Sequence, residues 1–103
     1  MPKFILTYHG GNKPETPEEG KKHFQEYQAW LGSLGDAAIS PMNPMGQRKT
    51  LTKDGVSEGG LEGQSGFTIL EASDMNAALE MAKACPFLDI EGTLVVAEIM
   101  QMG

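Results

Sequence analysis

Apolar and polar residues alternate in KFILTY at 3–8: Phe4, Leu6 and Tyr8 share one face and Ile5 takes the other. A two-residue period in good strand formers predicts a β-strand, ended by His-Gly-Gly-Asn at 9–12. The period then lengthens. Phe24, Tyr27, Leu31 and Leu34 recur at threes and fours, which predicts a helix with these residues on its buried face. Thr16-Pro17-Glu18-Glu19 supplies its start: a capping box, a proline at the first helical position and two acids at the positive end of the dipole. Gly35 supplies its stop.

The pattern weakens from 36 to 66. AAIS at 37–40 and QRKTLT at 47–52 read as two pieces of one edge strand, interrupted by a Pro-Met-Asn-Pro-Met-Gly turn. Its two prolines exclude a central strand. Residues 53–66, rich in glycine and charge, read as a long loop or hairpin tip. GFTILEA at 66–72 predicts a strand, and 73–85 a second helix with Ser73 as N-cap. Met75, Ala78, Leu79, Ala82 and Cys85 share one helix face. GTLVVAEIM at 92–100 predicts the last strand.

The order β-α-β-β-α-β over one domain, 1–103, is the ferredoxin-like α+β plan: a four-stranded antiparallel sheet with two helices on one face. One face of such a sheet is covered by helices, so the other should be polar in a monomer. Here the last strand is apolar on both faces, with Leu94, Val96 and Met100 on one and Val95, Ala97 and Ile99 on the other. The expectation is a homodimer joined through sheet faces.

The net charge of −6 at pH 7 argues against nucleic acid and anionic membrane as partners. No apolar run reaches the ~20 residues of a membrane span, and the single cysteine allows no internal disulfide. The expected setting is cytoplasmic. No phosphate-binding glycine loop or nucleophile elbow occurs. Two histidines and one cysteine without ligand spacing give no metal site, so the expected chemistry needs no cofactor.

SLGDAAISPMNPMG, KTLTKDGV and the segment GFTILEASDMNAALEMAKACPFLDIEGTLVVAEIM resemble the YCII-related family, in its branch near the DGPF-domain proteins. The resemblance implies a dimeric α/β barrel and, for many members, a His–Asp pair in a pocket. Two motifs depart from the family. Its Asp-Pro-Phe stands here as Cys85-Pro86-Phe87, and its Asp-Gly-Pro-Phe as Asp54-Gly55-Val56.

Cys85, on the apolar face near the negative end of a helix dipole, reads as a packing residue rather than a nucleophile. His23 lies at the border of the first helix's buried face and matches the histidine that the resemblance implies there. Asp36, at the far end of that helix, is on the order of 20 Å away and cannot serve it. The β-α-β-β-α-β path brings His9, His23, Asp54 and Asp89 to one end of the sheet. His23, Asp89 and His9 are the candidate catalytic residues; Tyr8, Asn43, Asp54 and Trp30 are candidates for a pocket lining, although Trp30 and Tyr27 also read as core. A His–Asp pair suits a general base, hence a lyase or isomerase acting on a small organic acid. The alternative is a non-catalytic dimeric module that binds a small ligand or a regulatory partner.

Overall fold

The N-terminal alternation forms strand β1 (Lys3–Gly10), with Phe4, Leu6 and Tyr8 buried on its inner side. The computed structural model describes residues 1–60 and 64–100. Helix α1 (Pro17–Leu34) starts at Thr16, whose Oγ1 accepts the Glu19 N–H at 3.1 Å. Glu19 in turn accepts from the Glu15 N–H at 3.0 Å, one residue outside the usual box. Strands β2 (Ala38–Pro44), β3 (Lys49–Thr52), β4 (Gly55–Glu58) and β5 (Gln64–Glu71) follow. Helix α2 (Met75–Lys83) and strand β6 (Gly92–Ile99) come after them.

The main sheet has the order β2-β5-β1-β6, every neighbouring pair antiparallel. This is the ferredoxin-like α+β arrangement that the element order implies. Phe4, Leu6, Tyr8, Leu70 and Ala72 from the sheet meet Trp30, Ala78, Ala82 and Cys85 from the helical side in one core. The Trp30 indole N–H donates to the Met81 carbonyl at 2.9 Å and ties the two helices together. Burial therefore satisfies the one polar atom of this large side chain.

Four readings of the sequence are corrected. Residues 49–52 do not continue the edge strand. β3 pairs with β4 in a separate two-stranded hairpin, turning through Lys53 and Asp54 with Gly55 at φ 132°. The prolines of the supposed turn lie instead inside or at the end of β2, the outermost strand on its side, where a missing N–H is tolerated. The expected loop or hairpin tip at 53–66 is a hairpin turn at its start and then holds β4 and the start of β5; Leu61, Glu62 and Gly63 lie outside the described residues. Asp74, not Ser73, caps α2, accepting the Ala77 N–H at 2.8 Å.

The helix faces also shift. Trp30 is the buried residue of α1, whereas Phe24 is 47% exposed. In α2, Ala78 and Ala82 are buried while Met75 and Leu79 remain 38% and 40% exposed. The helix ends at Lys83, and Cys85 precedes a 3-10 turn over Pro86–Ile90. Pro86 sets that break, since it cannot continue a helix through its ring.

Candidate active site

The antiparallel path gathers the end of β1, the start of α1, the end of β2, the start of β5 and the 3-10 turn at one end of the sheet. A cleft of about 270 Å³ opens there. Tyr8, Tyr27, Phe24 and Phe87 give it aromatic walls, with Met42, Asn43, Pro44, Ser65 and Gly66 on the strand side and His23 at the rim on α1. Among the described residues no lysine, arginine or carboxylate lines it. No hydrogen bond or ion pair engages the His23 ring among the described residues.

Local sequence explains the shape. In β2 the register slips between Ser40 and Asn43, so Pro41 and Met42 together oppose Thr68. Such a bulge frees backbone groups from the ladder. The Pro41 carbonyl is used inward, accepting from the Thr68 hydroxyl at 2.6 Å. Gly66 lets β5 approach β2 closely: a Cβ there would stand 2.9 Å from the Asn43 carbonyl oxygen. The 3-10 turn places Phe87 edge-on to Tyr8, ring centroids 5.2 Å apart. Tyr27 meets Tyr8 in a second edge contact at 6.0 Å.

The polar element of this apolar cleft is a cluster of hydroxyls. Tyr8 Oη lies 2.8 Å from Tyr27 Oη and in close contact with Thr68 Oγ1. Thr68 is fully buried, and every buried side-chain polar atom among the described residues has a partner. Burial pushes the Tyr8 hydroxyl well above the usual phenol range, because a phenolate there would lose its hydration. Tyr8 is thus held neutral, as a hydrogen-bonding group.

The residues expected from the sequence separate into those that meet here and those that do not. His23, Tyr8 and Asn43 line the cleft. His9 is on the opposite face of β1 from Tyr8, as the two-residue period of a strand requires, with its Nε2 2.8 Å from Thr7 Oγ1. Asp54 sits in the turn of the β3–β4 hairpin, its N–H bonded to Thr52 Oγ1. Asp89 is exposed on the 3-10 turn and does not line the cleft. Trp30 is in the core, one helical turn beyond Tyr27. The cluster of His9, His23, Asp54 and Asp89 at one end of the sheet therefore does not converge on one cavity.

Tyr27, Phe24, Phe87 and Gly66 were missed as lining. The alternation in β5 could have pointed to Gly66 as an inward position next to buried Thr68. Phe87 needed knowledge of the turn. A second depression, of about 440 Å³, lies across His23 and Phe24, bounded by Asn12, Lys13, Glu15, Glu19 and Ile90 among others. Among the described residues, no group of three or more His, Cys, Asp and Glu side chains could hold one metal ion, and no helix is long and apolar enough to cross a membrane.

No protein-family model and no curated protein matches the chain. The fold has a solved counterpart. It is similar to 5-chloro-2-hydroxyhydroquinone dehydrochlorinase (TftG) from Burkholderia phenoliruptrix AC1100, solved in complex with 2,5-dihydroxybenzoquinone. The TM-score is 0.52 at 15% identity, covering 98% of this chain and 95% of that one. At this identity the likeness is one of fold.

Proposed function

We propose that this protein is a lyase- or isomerase-type enzyme acting on a small, uncharged ring compound, with His23 as its proton-transferring base. The observation that carries the reading is the cleft itself: aromatic walls, a neutral hydroxyl cluster at its floor and one imidazole at its rim. A flat ring buries well against the aromatic walls, and the His23 imidazole can take a proton from it. The small organic acid expected from the sequence fits less well, since among the described residues the lining offers a carboxylate no lysine or arginine. The motif resemblance to YCII-related proteins and the fold shared with TftG, a dehydrochlorinase, support the same class of chemistry. In such an elimination the base takes a proton, the released electron pair forms the new double bond, and chloride leaves with the electrons of the C–Cl bond.

One observation favours a second reading. Among the described residues no carboxylate lines the cleft to orient His23, so the pocket also suits a binding module without turnover. Chloride release from a chlorinated hydroxyhydroquinone separates the two. The enzyme reading expects release that falls at least 100-fold in His23→Gln while hydroquinone binding persists, in line with the usual worth of a general base. Binding without turnover in the wild type selects the module.

The open sheet face supports a homodimer. Ile5, Phe67, Ile69, Val95, Ala97 and Ile99 alternate onto it, and none is fully buried. Lys3 pairs opposite Glu71 at its end, so this face of an acidic protein is close to neutral. Two such faces bury apolar on apolar surface without net charge at the seam.

A further inference from the structure

The hydroxyl cluster has a direction. The Pro41 carbonyl can only accept, and Thr68 Oγ1 is its near partner at 2.6 Å, against 3.4 Å for Tyr27 Oη. The single Thr68 proton is therefore committed to Pro41. Thr68 then accepts from Tyr8, its closest hydroxyl neighbour. With the Tyr8 proton spent on Thr68, the 2.8 Å contact between the tyrosines requires Tyr27 to donate to Tyr8. The chain runs Tyr27 to Tyr8 to Thr68 to the Pro41 carbonyl, every proton pointing away from the cleft. Tyr27 is half-buried and lines the cavity, so its oxygen, whose proton is engaged, has only lone pairs to offer a ligand.

We infer that Tyr27 is a specificity-determining residue, whose oxygen accepts a hydrogen bond from a hydroxyl on the bound ring. This rests on the ring-binding reading above and adds which ring substituents the site selects. A ligand that brings only an acceptor, such as a carbonyl oxygen or a halogen, must either turn the Tyr27 proton away from Tyr8, breaking the chain, or face the oxygen unpaired. Tyr27 acts on binding and needs no ionisation. Burial of Tyr8 favours its neutral state and so keeps the second link of the chain a donor.

The test is an NMR titration of the full chain with hydroquinone and with 1,4-benzoquinone, which is similar in size and only accepts. The wild type is expected to bind hydroquinone about three- to tenfold more tightly, the worth of one net hydrogen bond. Tyr27→Phe should bind both rings within about twofold of each other. Tyr8→Phe frees the Tyr27 proton while keeping its oxygen, so the preference should shrink towards the acceptor ring. This second variant decides the matter if Tyr27→Phe does not fold. Equal wild-type affinity for the two rings overturns the inference alone, as does a preference undiminished in either folded variant. Failure of both rings to bind overturns it together with the ring-binding reading.

Discussion

At the scale of single residues, the lone cysteine shows burial outweighing sequence neighbourhood. Cys85 is 2% exposed, and burial pushes its thiol from 9.0 up to about 11; a backbone hydrogen bond with Phe87 pulls it down and the Asp89 charge adds to the rise. Tyr8 is raised in the same direction and for the same leading cause. In both, the folded state keeps a proton that the unfolded chain gives up at lower pH. The Cys85 contribution to stability is complete below about pH 9 and is lost as pH rises through 11, whereas the Tyr8 contribution begins to be lost only above about pH 10. Urea midpoints should be level from pH 7 to 8.5 and fall by pH 10.5; a level midpoint across the range would contradict this. The packing role of Cys85 was legible in the sequence, because its neighbours on the helix period are alanines. Its position was not: the chain leaves the helix before Cys85, and Pro86 starts a different turn.

At the scale of elements, the 3-10 turn and β6 fit each other through an absent side chain. A Cβ at Gly92 would overlap the Phe87 ring and its carbonyl oxygen, and one at Gly11 would stand 2.9 Å from the same ring. Gly92→Ala should therefore cost about 1–3 kcal/mol, the usual range for overpacking. It should also weaken hydroquinone binding by displacing Phe87 from Tyr8. Denaturant unfolding and the same titration check both, and an unchanged cleft would show that the turn adjusts freely. Elements with strong periodicity, β1, α1 and β5, were legible, since burial imposes the pattern directly, and β6 was legible as a run of strand formers. The β3–β4 hairpin was obscured because all its residues but Thr50 are exposed. Its one local signal, Asp54-Gly55 between TLT and VS, marks a hairpin turn, although the turn itself is Lys53-Asp54 and Gly55 already pairs with Thr52. The candidate site was only half legible for a related reason. Topology predicts which end of a sheet a residue reaches, but strand alternation decides its face, and that alternation sends His9 away from His23.

At the scale of the whole molecule, the helices cover one side of the sheet and leave Val95 and Ile99 at 46% and 39% exposure on the other. If two copies pair there, Val95→Lys places a charge in the seam. Sedimentation should then move from twice the chain mass of 11.1 kDa to the single mass, with the monomer still folded. A monomeric wild type would leave the face without this partner. The sheet's two rims are unlike. Along β2, Pro41 and Pro44 offer no N–H, and register slips on either side of Ser40 break the regular row of donors and acceptors. An incoming strand finds no continuous template on that rim. β6 has neither device, so strand-by-strand growth into a fibre is open from one rim only, and an added chain would have to dock beside Gly92–Ile99.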